Sequence, residues 1–225
     1  MATNIPIYIL NNNNQERRNK MMKRFNSNFS QVHFLEPVNI DHTKYNICQS
    51  TGRNWSIMLS HLENIRHFYE QTDAEYAICC EDDVFIYKHL DQKIPTIIEN
   101  MNALKLDVLL LSYLINTPPS SNGQLIRSIG DFEYYQFRDD LWGAHMYMVT
   151  RSHAKHLIDT YTLEWAQKKD DPPYSPDWIL TKKGRRAFVW PPMGVEEGIV
   201  NTTDWGQVHL HASCKEFLYD ESIYC

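Results

Sequence analysis

The strongest constraint on the fold is an alternation, through the first half of the chain, of short apolar runs and longer amphipathic segments. Three runs, IPIYIL, EYAICC and LDVLLLSYL, are almost continuously apolar, as strands are when helices cover both faces of their sheet. The segment 55–71 repeats large apolar side chains every three or four residues, which is typical of an amphipathic helix. Those side chains are Trp55, Met58, Leu59, Leu62, Ile65 and Tyr69. Strands that alternate with helices predict an α/β fold.

Similar patterns assign secondary structure to most of the chain. The predicted strands are residues 5–10, 31–38, 75–80, 106–114, 124–129, 132–137 and 143–150. The predicted helices are residues 15–25, 55–71, 94–104 and 152–166, the first with Met21, Met22 and Phe25 facing inward. Residues 41–54 are polar and irregular, and are predicted to form a loop over the sheet edge. We therefore expect a mixed central sheet and a more irregular C-terminal half.

The composition restricts the class of protein. The 28 acidic and 22 basic residues give a net charge of −6, which argues against binding to nucleic acid or to an anionic membrane. No stretch approaches the ~20 apolar residues that cross a bilayer, and the first apolar run is too short for a signal peptide. Five scattered cysteines without a C-x-x-C pair indicate a reducing compartment, so the default expectation is a cytoplasmic location.

Three consecutive carboxylates, Glu81, Asp82 and Asp83, stand at the end of the predicted strand 75–80. The triplet is either a solvated turn or a metal site, since desolvating an unpaired carboxylate is costly and hard divalent cations prefer carboxylate oxygens. Ligands of open α/β sheets bind at the carboxyl ends of strands, which favours a site in a cleft.

Strand geometry would place Glu81 and Asp83 on one face and Asp82 on the other. Asp83 is then the expected direct metal ligand, and Glu81 would bind through water or hold a ribose. Asp82 would approach the metal only if the strand ends before it.

Four segments, taken in order, resemble glycosyltransferase family 25, which includes bacterial lipooligosaccharide galactosyltransferases and animal procollagen hydroxylysine galactosyltransferases. They are IYILNNNNQERRNKMMKRF, LSHLENIRHFYEQTDAEYAICCEDDVFI, WGAHMYMVTRSHAKHLI and PDWIL, and together they span roughly residues 5 to 200. The third segment departs from the family's Gly-Thr pattern, because Gly143 is followed here by Ala144 and His145. This departure leaves the donor sugar open.

The resemblance implies a single GT-A-type domain over residues 1–225, with residues 1–115 as the nucleotide-binding half and residues 116–225 as the acceptor-side half. It implies a UDP-sugar donor, galactose or glucose as the transferred hexose, inversion at the anomeric carbon and a divalent cation, usually Mn²⁺. The acceptor stays open at this point: a hydroxyl of a glycan, of a hydroxylysine-type protein, or of something smaller.

The resemblance also implies roles for individual residues. Asn11 and Arg17 would contact the nucleotide base and diphosphate, although solvation on a helix surface is the alternative for Arg17. Ser60 and His61 would either belong to the nucleotide site or be buried, hydrogen-bonded residues of their helix. Gly143 would allow close approach of the donor sugar, or would simply form a turn.

Asp177, in the motif SPDWIL, is the candidate general base, and Glu196 and Glu197 are the reserve candidates. The alternative for Asp177 is a helix N-cap. His209 and His211, in QVHLHAS, would share one strand face and offer a late metal ligand.

Two other functions stay open. A non-catalytic module that binds carbohydrate or a nucleotide sugar would have the same fold. A metal oxygenase that uses the HLH pair with a carboxylate is disfavoured, because its β-rich fold would not show the strand–helix alternation.

Overall fold

The computed structural model describes residues 4–25, 28–168, 172–199 and 202–225. Its strands are β1 Ile7–Leu10, β2 Val32–His33, β3 Tyr76–Glu81, β4 Val84–Ile86, β5 Val108–Ser112, β6 Gly123–Ile129, β7 Phe132–Phe137, β8 Met146–Thr150, β9 Arg186–Trp190 and β10 Gly194–Glu196. Its helices are α1 Gln15–Phe25, α2 Gln49–Gln71, α3 Leu90–Leu104, α4 Pro119–Asn122, α5 Arg151–Thr160, α6 Leu163–Lys168, α7 Pro176–Ile179 and α8 Trp205–Leu218. None of the helices in these ranges is long and apolar enough to pass through a bilayer.

Eight of the strands form one mixed sheet in the order β2-β1-β3-β8-β5-β9-β7-β6. The parallel pairs are β1–β2, β1–β3 and β5–β9, and β8 runs antiparallel between β3 and β5. Strands β10 and β4 form a separate antiparallel pair. The α/β fold with a mixed central sheet is confirmed, and strands from both halves of the chain meet in one sheet.

Helices cover both faces of this sheet, which explains why its central strands are apolar throughout. Along β1, Tyr8 packs in a cluster with residues of α2 and α5, whereas Ile7 and Ile9 pack in a second cluster with residues of α1 and α3. This alternation follows from the two-residue period of a strand. Full burial of each large apolar side chain contributes about 1.5–3 kcal/mol relative to exposure.

Several predicted segments differ from the structure, among them the strand predicted over residues 31–38, of which only Val32–His33 is a strand. Helix α2 begins at Gln49, so the second part of the loop predicted over residues 41–54 is helical. The predicted helix 152–166 is two helices, α5 and α6, interrupted at residues 161–162. Met22 is 49% exposed instead of facing inward, since only Met21 and Phe25 of α1 are buried.

Candidate functional site

The acidic triplet forms the turn that leads out of β3. The strand ends at Glu81, and Asp82 and Asp83 form the turn into β4. The strand alternation expected for the triplet therefore stops at Glu81, and both aspartates contact the same guanidinium. Arg17 Nη1 lies 2.8 Å from Asp82 Oδ1 and 3.4 Å from Asp83 Oδ2. Arg17 thus contacts both aspartates, and Asp82 is the nearer of the two.

Asn11 ties the turn after β1 to the turn after β3. Its Nδ2 donates a hydrogen bond of 2.6 Å to Asp82 Oδ2, and its Oδ1 accepts one of 3.1 Å from the N–H of Asn14. Since β1 and β3 are parallel neighbours, their carboxyl ends lie at the same edge of the sheet. The structure therefore brings Asn11, Arg17 and Asp82 together, with Asp82 held by two partners.

Asp83 is less completely paired than Asp82. Its Oδ1 is buried and has no hydrogen-bond partner. Burial and the neighbouring Glu81 carboxylate raise the pKa of Asp83 to about 7, although His145 opposes the shift. A buried carboxylate oxygen without a partner is costly, and a bound cation would satisfy it.

Glu81 faces histidines. His61, on α2, is completely buried, and its Nε2 lies 3.6 Å from Glu81 Oε1 while its Nδ1 lies 3.2 Å from the hydroxyl oxygen of Tyr147. Burial alone would raise the pKa of Glu81, but His61, His145 and His211 lower it overall. Glu81 is therefore held as a carboxylate between imidazoles.

His145 lies beside the end of β3, although the sequence analysis gave it no role. Its backbone oxygen accepts a hydrogen bond of 2.8 Å from the N–H of Glu81, and its Nδ1 is buried without a partner. Burial lowers the pKa of His145, but the carboxylates of Glu81, Asp177, Glu196 and Asp83 raise it overall. The signal was present in the sequence, since His145 follows the Gly143-Ala144 pair at the start of a predicted strand.

His211 reaches this site from α8, whereas His209 does not. His211 Nδ1 lies 2.9 Å from Oε2 of the buried Glu196, and the His211 ring is 6.1 Å from that of His145. His209 is exposed. The expectation that the two share a strand face is wrong, because residues two apart in a helix point about 200° apart.

Glu197, one of the two reserve candidates for the base, is paired with Arg24 of α1. Its Oε1 lies 2.6 Å from Arg24 Nη2, and its N–H donates a hydrogen bond of 2.7 Å to the backbone oxygen of Asp83. Glu197 therefore fixes the backbone of the acidic turn.

Asp177 lies beside the Gly143 segment. Its Oδ1 accepts hydrogen bonds from the N–H groups of Gly143, at 2.9 Å, and Ala144, at 3.1 Å. The N-cap of α7 is Ser175, so the N-cap alternative for Asp177 is wrong. A Cβ added to Gly143 would lie only 3.0 Å from the Tyr113 Cβ, so close packing against Tyr113 favours glycine at this position.

Ser60 is a buried, hydrogen-bonded residue of α2. Its hydroxyl donates to the Ser56 carbonyl at 2.8 Å and accepts from the N–H of Val38 at 2.8 Å. The bond from Val38 connects the segment after β2 to α2, the helix that also carries His61.

A set of six side chains therefore surrounds the end of β3, and we call it the carboxylate–histidine site. Its members are His61, Glu81, Asp83, His145, Glu196 and His211. In the part of the chain that the structure describes, no group of three His, Cys, Asp or Glu residues could hold a metal ion. A cation here would need ligand atoms from a bound molecule as well as from the protein.

No protein-family model matches the chain, and no curated protein matches it. Among solved structures, A197 from STIV is similar at 10% identity with a TM-score of 0.45, covering 82% of this chain and 81% of that one. Mannose-1-phosphate geranyltransferase from Thermus thermophilus is similar at 11% identity with a TM-score of 0.37, covering 81% and 58%. The galactosyltransferase LgtC, in complex with donor and acceptor sugar analogs, is similar at 10% identity with a TM-score of 0.37, covering 97% and 98%. The assignment of function therefore rests on the geometry of the site.

Proposed function

We propose that this chain is a metal-dependent, inverting glycosyltransferase of the GT-A type, similar to glycosyltransferase family 25. It would move galactose or glucose from a UDP-sugar to a hydroxyl of a glycan or protein acceptor. The observation that carries the proposal is the buried, unpartnered Oδ1 of Asp83 at the carboxyl end of β3. It lies where ligands of α/β sheets bind, among carboxylates whose repulsion a cation would relieve.

The residues present fit a divalent cation that is shared with a diphosphate. Magnesium-type sites commonly use one or two carboxylates and complete the coordination with substrate phosphates. Asp83 would supply the first ligand, with Glu81 and His211 as the further candidates. When bound, Mn²⁺ would neutralise the charge on a departing nucleoside diphosphate.

Arg17 supports recognition of the diphosphate. Its side chain is 35% exposed, and both contacts to the aspartates use Nη1. The planar guanidinium has further N–H donors on Nη2 and Nε, and such a fork suits phosphate oxygens. Arg17 would therefore bind a phosphate while it remains paired with Asp82.

Asp177 is the proposed base. An inverting displacement needs a carboxylate near the acceptor hydroxyl, opposite the leaving group. The Gly143 and Ala144 N–H groups hold Oδ1 of Asp177. Oδ2 takes part in neither bond and would accept the proton of the acceptor hydroxyl.

The test is the thermal stability of the chain with UDP, in the presence and absence of Mn²⁺. Wild type should be stabilised by UDP only with Mn²⁺, by about 2.7 kcal/mol at a hundredfold excess over Kd. Asp83→Asn should fold but lose this stabilisation. The matched control is Asp131→Asn, because the Asp131 side chain is 82% exposed and should not affect UDP binding.

Unchanged Mn²⁺-dependent UDP binding in a folded Asp83→Asn variant would contradict the ligand assignment. Release of UDP from UDP-galactose or UDP-glucose then separates an enzyme from a binding module. A chain that binds both donors but never releases UDP, with any of a panel of saccharide and hydroxylysine-peptide acceptors, would be the non-catalytic alternative.

A further inference from the structure

Two tryptophans are the sequence neighbours of Asp177 and of Gly143, whose N–H group donates to the Asp177 carboxylate. Trp142 immediately precedes Gly143, and Trp178 immediately follows Asp177. Their rings meet edge to face, with centroids 5.6 Å apart and planes at 86°. Trp142 nevertheless remains 40% exposed. The pair therefore presents aromatic surface directly beside the carboxylate proposed as the base.

The surroundings hold this aromatic pair in place. The backbone oxygen of Trp142 accepts a hydrogen bond of 2.9 Å from the N–H of Leu114, just after β5. The Lys182 ammonium lies 3.9 Å from the ring centroid of Trp178 and 5.1 Å from that of Trp142. The same ammonium donates to the backbone oxygen of Asp139. Because Lys182 is anchored in this way, the two rings are positioned before any ligand arrives, which lowers the entropy cost of binding.

The pair is also connected to the carboxylate–histidine site. Asp177, which directly precedes Trp178, accepts hydrogen bonds from the N–H groups of Gly143 and Ala144, and the next residue along the chain is His145 of that site. A ligand that stacks on the exposed ring of Trp142 would therefore lie close to Asp177 and within reach of the proposed reaction centre.

We propose that Trp142 and Trp178 form a platform that stacks a sugar ring of the acceptor, so that the acceptor is a saccharide and not a hydroxylysine side chain. This inference rests on the proposed function. A sugar ring has an apolar C–H face and a rim of hydroxyls, and an aromatic surface beside a carboxylate complements both. An unsubstituted hydroxylysine side chain has no ring to stack on the platform.

The test is saturation-transfer difference NMR with two probes, lactose and methyl β-galactopyranoside, each titrated to ~50 mM, well above a millimolar Kd. Trp142→Ala should weaken saccharide binding by about tenfold, the loss expected when one aromatic stack is removed. Trp142→Phe should retain most of the affinity, because it keeps an aromatic face. Trp205→Ala is the matched control, since Trp205 is 84% exposed and does not belong to the platform.

Three results would overturn the platform. The first is that wild type gives no saccharide signal at the highest concentration. The second is that wild type and Trp142→Ala bind saccharide with equal affinity. The third is that Trp205→Ala loses as much saccharide affinity as Trp142→Ala does. Circular dichroism and thermal unfolding would show that each variant is folded. If Trp142→Ala is not folded, the affinity of Trp142→Phe, which should stay near that of wild type, still tests the platform.

A titration of UDP with Mn²⁺ in the same samples separates this inference from the proposed function. Trp142→Ala should leave the affinity for UDP unchanged. If it weakened UDP binding and left saccharide binding intact, the ring would stack the nucleobase, and the acceptor platform would be wrong. If wild type bound no UDP but bound saccharide through Trp142, the platform would stand and the proposed transferase function would fail.

Discussion

At the scale of single residues, three adjacent carboxylates acquire three different environments. Asp82 is compensated by Arg17 and Asn11, and Glu81 is surrounded by imidazoles. Asp83 shares Arg17 at a longer distance and retains one oxygen without a partner. Compensation is therefore most complete at Asp82, which stabilises the turn, whereas Asp83 is the carboxylate with an oxygen left for a ligand.

Asp177→Asn tests the base at this scale. An asparagine keeps an Oδ1 acceptor for the N–H groups of Gly143 and Ala144 but cannot accept a proton from the acceptor hydroxyl. We expect the free energy of unfolding and the binding of UDP-sugar to be nearly unchanged, while the transfer rate falls by about 10²–10⁴. Steady-state release of UDP with a saccharide acceptor measures the rate.

Asp177→Ala is the structural counterpart of that variant. It removes the acceptor of both N–H groups and should lower the free energy of unfolding by about 1–3 kcal/mol. Transfer by folded Asp177→Asn within a few-fold of wild type would refute the base role and direct attention to Glu196.

At the scale of elements, α8 shows how an alternating sequence can fold as a helix. The motif QVHLHAS alternates as a strand does, but Asp204 precedes it and caps the helix. Asp204 Oδ1 accepts hydrogen bonds from the N–H groups of Gly206, at 2.9 Å, and Gln207, at 3.3 Å. An aspartate in this position is a strong N-cap signal. The cap, and the contacts of α8 with the chain around β10, outweigh the strand-like alternation.

His211→Ala and His209→Ala should therefore have unequal effects. Loss of His211 removes the hydrogen-bond partner of the buried Glu196 side chain and should lower the free energy of unfolding by about 1–3 kcal/mol. It should also weaken UDP binding in the presence of Mn²⁺. His209 is exposed, so its loss should change stability by less than about 0.5 kcal/mol.

Urea unfolding of both variants measures the stability, and a manganese titration in the presence of UDP measures the binding. If the two alanine variants behave alike in both assays, the assignment of His211 to the site is wrong.

At the scale of the whole molecule, the site depends on contributions from both halves of the chain. Glu81 and Asp83 lie at the end of β3, whereas His145 immediately precedes β8 and His211 lies on α8. The antiparallel insertion of β8 between β3 and β5 brings the two sets together. Neither half of the chain contains the carboxylate–histidine site by itself.

The stability of the whole molecule should depend on pH, and His153, which lies outside the carboxylate–histidine site, contributes to that dependence. His153 is buried on α5, and its Nε2 has no hydrogen-bond partner. Burial lowers its pKa, His156 adds to that effect, and Asp107 opposes it. The folded protein therefore takes up a proton at His153 only at a lower pH than the unfolded chain does.

It follows that the stability contributed by His153 is present above the unfolded-state pKa of about 6.5 and is lost as the pH falls below it. We expect the free energy of unfolding of wild type to decrease more steeply than that of His153→Leu between about pH 7 and pH 5. Denaturant titrations across this range measure the difference. Parallel curves for the two proteins would show that His153 does not contribute.

The sequence by itself determined the α/β class, most of the elements and the position of the acidic triplet at the end of β3. Apolar periodicity and turn residues report local geometry and burial, and both are encoded over a few neighbouring residues. The resemblance of four segments also drew attention to Asn11, Arg17, His61 and Asp177. The structure places Asn11 and Arg17 beside Asp82, His61 beside Glu81, and Asp177 beside Gly143.

Only the tertiary structure decided which carboxylate keeps an unpaired oxygen, that His145 belongs to the site, and that His211 and not His209 reaches it. These outcomes depend on contacts such as that between Arg17 and Asp82, and that between His145 and Glu81, which join residues far apart in the chain. Local patterns carry no information about such pairs. The compensation of these buried charges depends on the position of β8 between β3 and β5 and on the packing of α8 beside β10.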